Sequence, residues 1–256
     1  MESGCDGGLR YGFCRMRERS ALIMSPISEN LQAVSGSIES CARQVLRNGG
    51  DVSLLAVSKT FGPEAVLEAA RAGQRAFGEN YLQEALDKMV AVKQMAPDLI
   101  LEWHFIGPIQ SNKTRAIAEN FDWVHSVDRE KIAQRLSAQR PPNLPPLNIC
   151  LQVNISGESS KSGVAPEEVL PLAQAIAKLP NLRLRGLMAI PEPAQDQQAQ
   201  RRPFAALKNL SEQLKAAGLQ VDTLSMGMSA DMQAAIAEGA TIVRIGTAIF
   251  GERKYD

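Results

Sequence analysis

Residues 53–73 read "SLLAVSKTFGPEAVLEAARAG". The apolar run 53–57 has the length and composition of a buried strand. It gives way to Ser58, Lys59 and Thr60, and then to an amphipathic segment with Pro63 in its first turn and Gly73 just past its end, the punctuation of a short helix. Strand, lysine-bearing loop and helix make one unit, and the unit recurs. Further strands are expected at 76–78, 102–107, 123–127, 148–154, 185–190, 223–227 and 241–246, with helical patterns between them. Eight such alternations imply a parallel sheet, and 256 residues suit a closed (β/α)8 TIM barrel. An open doubly wound sheet shares the alternation but usually carries a G-x-G-x-x-G turn after its first strand; here that turn is "SKTFGPE".

Upstream, "MSPISENLQAV" from Met24 reads as a helix start, with Ser25 as cap and Pro26 in the first turn. Segment 25–49 becomes an extra N-terminal helix, expected to pack across one end of the barrel. Residues 1–23 are glycine-rich and aperiodic, which suggests a disordered extension; 24–256 would be a single barrel domain. The proline-rich 140–147 separates one helix from one strand and is expected to be a surface loop.

Composition narrows the function. The chain is 45% apolar, and 28 basic residues balance 28 acidic ones, so no overall field draws it to nucleic acid or anionic lipid. A small ligand is the better expectation. Cys5, Cys14, Cys41 and Cys150 form neither a C-x-x-C pair nor a cluster, which argues against zinc or a disulfide framework and fits the cytoplasm. No apolar run approaches the roughly 18 residues of a membrane span.

In a barrel of this kind chemistry belongs at the C-terminal strand ends. Lys59 follows the first strand, Glu79 and Asn80 the second, and Asn154 the fifth. The loops after strands seven and eight supply Ser225, Met226, Gly227, Ser229, Gly246 and Thr247, the place where barrels often bind phosphate with backbone N–H groups and a helix N-terminus. Taken singly, Ser229 reads more readily as a helix cap, and Lys59 as a solvated rim residue; it is their occurrence together at the expected strand ends that favours a site. Arg244 lies between Val243 and Ile245; inside a barrel it needs either a ligand or a partner such as Glu79. Partial desolvation at the mouth favours a nucleophilic Lys59 amine able to form Schiff bases. An aldehyde, a phosphate and a ring nitrogen together would use all three features, and pyridoxal 5′-phosphate has them.

"AVSKTF", "FGENYLQEA", "EWHFIGPIQSNK", "GLMAI" and "LSMGMSADMQAAIAEGATIVRIGTAIFG" resemble, in order, the motifs of the pyridoxal phosphate homeostasis proteins. The barrel of that family is similar to the N-terminal domain of alanine racemase. The resemblance spans 25–252. It implies that Lys59 forms the Schiff base, that Ser225, Met226, Ser229, Gly246 and Thr247 bind phosphate, and that Arg244 meets the pyridine nitrogen. Asn80, His104, Phe105 and Ile106 become ring-side positions. A guanidinium leaves that nitrogen unprotonated, so the cofactor is a weak electron sink. The chain ends at Asp256 without the second domain that gives racemases of this fold a tyrosine base. It is therefore expected to bind cofactor as a monomer, without enzymatic turnover, and to deliver it to pyridoxal phosphate enzymes.

Two other readings stay open: an amino-acid racemase or lyase with Tyr81 or His104 as second base, and a sugar-phosphate enzyme in which Lys59 is the Schiff-base lysine. Lys161, in the loop after strand five, is a candidate position for cofactor exchange. His125 reads as a hydrogen-bonded core residue.

Overall fold

The computed structural model describes residues 25–157 and 162–252, together with Met1. Eight parallel strands close a barrel in sequence order: β1 (Ser53–Val57), β2 (Ala76–Glu79), β3 (Glu102–Phe105), β4 (Trp123–Val127), β5 (Leu147–Gln152), β6 (Leu182–Met188), β7 (Thr223–Ser225) and β8 (Ile242–Ile245). The helices are α1 (Pro26–Gln44), α2 (Pro63–Arg71), α3 (Leu82–Met95), α4 (Thr114–Asn120), α5 (Glu130–Gln139), α6 (Val169–Ile176), α7 (Gln197–Ala216), α8 (Met232–Ala237) and α9 (Thr247–Phe250). The eight expected strands are all present, several of them trimmed at their ends. Closure of β8 on β1 sets Leu55 opposite Arg244 and Ala56 opposite Ile245, so the loop bearing Lys59 starts beside the loop that follows Ile245.

Two interiors result, as a filled barrel requires. Between strands and helices lies the main apolar core, with Phe77, Phe121, Ile132, Leu136 and Phe204 buried. Inside the barrel Trp123, Cys150 and Met188 form a separate small cluster. They share that space with the buried polar side chains of His104, His125, Ser225 and Arg244.

Helix α1 begins where expected: Ser25 caps it, accepting from Ser28 N, and Pro26 opens its first turn. Its buried stripe of Leu31, Val34, Ile38 and Ala42 follows the three-and-four spacing of one helix face. It does not cross an end of the barrel, however. It packs beside α2, α8 and α9 in the outer ring, tied there by Asn30 Nδ2 donating to Ile249 O at 2.9 Å and Arg47 donating to Ile236 O and Ala240 O at 2.8 and 2.9 Å. The reason is the length of α9: four residues cover too little of β8 and β1, and α1 takes the place left open. Ile38→Ala should therefore cost what a core deletion costs, about 2–5 kcal/mol, seen as a lower urea midpoint with an unchanged denaturant slope.

Candidate functional site

At the C-terminal end of the strands opens a cavity of about 290 Å³. Lys59, Asn80, Ser229, Arg244, Gly246 and Thr247 line it, with apolar walls from Val57, Phe61, Ile106, Ile190 and Met228. Six of the eight site residues read from the sequence thus meet in one space. The other two, Ser225 and Met226, are fully buried and do not line it. Strand β7 ends at Ser225, and the chain reaches the cavity only at Met228.

Local chemistry sets each position. Thr60 adopts a left-handed φ of 69°, an uncommon state for a residue with a branched Cβ. Its N–H donates to Glu84 Oε1 at 2.7 Å, which holds the kink beside Lys59. Asn80 follows β2, and its carbonyl lies 2.1 Å from where a Cβ on Gly107 would stand, so the loop after β3 has to pass here as glycine. Asn80 Oδ1 is buried without a hydrogen-bond partner. At the end of β7, Gly227 turns with φ +95°, and a Cβ there would meet Ala235 at 2.6 Å. Asp231, the cap of α8, accepts from Met228 N at 2.6 Å and fixes the turn that carries Ser229. Ser229 is therefore not the helix cap. Gly246 precedes α9 directly, so two turns converge on the cavity.

Arg244 is 4% exposed. Its Nη1 donates to Ser225 O at 2.5 Å and Ser225 Oγ at 2.9 Å, and its Nη2 donates to Ala189 O at 2.9 Å. Burial pulls it down to about 10, with Asp231 opposing, so it is cationic at neutral pH. Its partner is not Glu79. That carboxylate belongs to Lys88, 2.6 Å away, and to the Ser58 hydroxyl at 2.7 Å.

His104 and Phe105 do not reach the cavity, although the neighbouring Ile106 does. His104 points down the barrel, bonded to Glu102 and His125, because β3 ends at Phe105 and its alternate residues Glu102 and His104 share the lower interior. Phe105 packs edge-on against Phe121 at 5.3 Å. Tyr81 is half-exposed and outside the lining. Lys161 and residues 2–24 lie outside the described residues.

Comparison with known proteins gives this geometry a family. Residues 30–254 match the family "alanine racemase, N-terminal domain". Over 232 residues the chain is 62% identical to the pyridoxal phosphate homeostasis protein of Pseudomonas aeruginosa and 59% identical to that of Vibrio cholerae, covering 91% of this chain and 98% of each relative. The chain belongs to the pyridoxal phosphate homeostasis protein family. PipY of Synechococcus elongatus, whose solved structure is described as having pyridoxal phosphate bound, is 36% identical, with a TM-score of 0.75 over 88% of this chain and all of that one. Alanine racemase of Corynebacterium glutamicum shares the fold alone: TM-score 0.65 and 18% identity over 91% of this chain and 62% of that one.

In this member of the pyridoxal phosphate homeostasis family, sequence reading missed Lys88. It lies on α3 with the spacing of an ordinary surface lysine, yet it is 4% exposed. Its Nζ donates to Ser58 O at 2.8 Å, Glu79 Oε1 at 2.6 Å and Glu84 Oε1 at 3.0 Å. Through Ser58 O and the Glu84 bond to Thr60 N, it pins the chain on both sides of Lys59. Burial holds the Glu79 carboxyl above its ordinary range in spite of Lys88. Removing Lys88 leaves that carboxyl buried without its cation, so Lys88→Met should cost about 3–5 kcal/mol near pH 7. With the lysine gone the folded-state value rises further above the unfolded one, so the folded state binds the extra proton. The deficit should then shrink as pH falls toward 5, and Glu79→Gln in the same background should recover much of it. Urea unfolding at the two pH values measures both effects.

Proposed function

We propose that this chain binds pyridoxal 5′-phosphate reversibly at the barrel mouth and serves the intracellular homeostasis of that cofactor. One observation carries the reading: among the described residues lining the cavity, an amine, a guanidinium and two hydroxyl-bearing turns share one space, with no carboxylate, imidazole or phenol beside them. That set matches an aldehyde, a ring nitrogen and a phosphate, and offers no second acid–base group for moving an α-proton.

The residues fit the cofactor. When bound, it supplies an aldehyde that condenses reversibly with a primary amine. Lys59 would provide that amine. Thr247, Ser229 and the first two N–H groups of α9, those of Thr247 and Ala248, would hold the phosphate; the next two, of Ile249 and Phe250, already donate to Gly246 O. Arg244 would donate to the ring nitrogen through the N–H groups its barrel bonds leave over. The Asn80 side chain, whose Oδ1 is buried without a partner, would meet the ring hydroxyl, which complements the side chain in either amide orientation. Val57, Ile106 and Ile190 would wall the ring and exclude water. Ser225 and Met226 would act from beneath, Ser225 by fixing Arg244.

Turnover of amino acids is no part of this function. His104 is held by Glu102 and His125 and Tyr81 stands outside the lining, so neither serves as a second base. The chain would act in the cytoplasm as a monomer and pass cofactor to pyridoxal phosphate enzymes; among the described residues no helix is long and apolar enough to cross a membrane.

Lys59→Ala should abolish the visible absorbance band of the reconstituted protein and its retained cofactor. The same band in the variant would overturn the lysine assignment. A wild-type protein that shows no band with added cofactor would overturn the function. The loaded protein should not exchange the α-proton of D- or L-amino acids with solvent deuterium at enzymatic rates; such exchange would make it a racemase or related lyase.

A further inference from the structure

The sequence holds two histidines, His104 and His125, and both are buried inside the barrel, away from the cavity lining. They are the middle of a continuous hydrogen-bonded chain that crosses the barrel. Arg244 Nη1 is 2.9 Å from Ser225 Oγ, and that oxygen is 2.7 Å from His125 Nδ1. His125 Nε2 is 2.9 Å from His104 Nδ1, and His104 Nε2 is 2.7 Å from Glu102 Oε1. Arg244 borders the ligand cavity, whereas Glu102 stands half-exposed at the opposite mouth, beside Trp123, Arg185 and Asp222.

Glu102 as a carboxylate only accepts, so His104 donates to it from Nε2. With both rings in the neutral form, His104 Nδ1 then accepts from His125 Nε2, and His125 Nδ1 accepts the single hydrogen of the Ser225 hydroxyl, whose oxygen accepts from the donor-only guanidinium. In that arrangement all the bonds run from Arg244 to Glu102. A second proton on either ring would turn the His125–Ser225 link round, leaving Ser225 Oγ to accept from both Arg244 and His125, and the chain would no longer run one way.

The surroundings agree. Burial, with the Arg244 charge adding to it, holds His125 well below the ordinary histidine range, and the bond from His104 draws Glu102 down. His104 stacks on Trp123 at 5.4 Å and 5°, and Arg185 lies 4.6 Å over the other ring system, which leaves the lower imidazole one plane. Among the described residues, the other charged groups around the chain are Asp51, Asp122, Asp222 and Arg185 at its lower end and Asp231 at its upper end.

We propose that Glu102, His104 and His125 are positioning residues for Arg244: a one-way hydrogen-bonded chain through the barrel that holds the guanidinium aimed into the cavity. Of its five N–H groups, three are spent on Ser225 and Ala189, leaving Nε–H and one Nη2–H for a ligand. No link donates a mobile proton toward the cavity. The ligand class selected is an aromatic ring with a neutral nitrogen that accepts a hydrogen bond and stays unprotonated. Only the identity of that ring as pyridoxal phosphate rests on the proposed function.

Nitrogen-15 NMR of histidine-labelled protein without added ligand, at pH 7.5, tests the chain directly, since each ring gives its own pair of signals. Two neutral rings, each protonated at Nε2, are expected; an Nδ1–H tautomer or an imidazolium at either position overturns the proposal. His125→Phe keeps the ring volume and removes the link. It should weaken pyridoxal phosphate binding about tenfold or more, as losing a buried partner does, and shift the Arg244 guanidinium signals, with Lys59 untouched. Glu102→Gln, at the half-exposed end where folding is not at risk, should shift both histidines and weaken binding by a smaller factor. Unchanged affinity and unchanged histidine and guanidinium signals in these variants overturn the proposal. If the wild-type protein takes up no cofactor, the proposed function fails on its own, and the tautomers and guanidinium signals still decide the chain.

Discussion

A guanidinium inside a β-barrel is the constraint around which this structure is built. Moving a cation from water into a low-dielectric interior costs several kcal/mol unless donors and charge are both matched. Among the described residues no carboxylate forms an ion pair with Arg244. Two carbonyls and a hydroxyl satisfy three of its N–H groups, and the carboxylate that ends the chain, Glu102, stands beyond a serine and two imidazoles. The interior of the barrel is polar for this reason. His104, His125 and Ser225 occupy space that Val, Ile and Leu fill in most barrels of this type, and Trp123, Cys150 and Met188 pack around them.

The contrast with Lys88 shows what this separation accomplishes. Lys88 is also a buried cation, but it touches Glu79 and Glu84 directly. Its charge is quenched where it stands, and what remains is mechanical: it clamps Ser58 and, through Glu84, the kink at Thr60. Arg244 keeps its field because its counter-charge is remote. A cation matched by carbonyl dipoles still polarises whatever acceptor enters the cavity, whereas one in a tight ion pair would not. One buried cation therefore shapes the loop that presents Lys59, and the other supplies the electrostatics of the space into which Lys59 is presented.

What the sequence made legible follows the range of the physics involved. The strand–helix alternation, the cap at Ser25 and the glycine after α2 are local, and the structure has them where they were read. Lys59, Asn80, Ser229, Gly246 and Thr247, read separately along the sequence, line one cavity because barrel topology sends every strand end to one face. Lys88 was invisible, since an isolated lysine on a helix looks solvated until the fold sets a carboxylate from another strand against it. His104 was misplaced for a different reason: where β3 ends decides whether a residue faces the mouth or the lower interior. A trace of the chain was present even so. Glu102 and His104 stand two apart, as do Trp123 and His125, and polar groups at alternate positions of otherwise apolar strands share one face. They mark an interior that has to be hydrogen-bonded.

The same reasoning separates holding from catalysis within one fold. A ring nitrogen that only accepts a bond from a guanidinium cannot draw electrons as a protonated one does. To change that, a barrel would need a proton donor of lower pKa in place of Arg244, or a path by which a proton reaches the ring. In the proposed chain the hydrogen bonds run the other way, from the guanidinium toward Glu102, with both imidazoles holding their protons on the side facing away from the cavity. Four hydrogen bonds running that way, set by an acceptor-only carboxylate and two neutral imidazoles, thus favour a site that keeps a reactive ring in its least activating state.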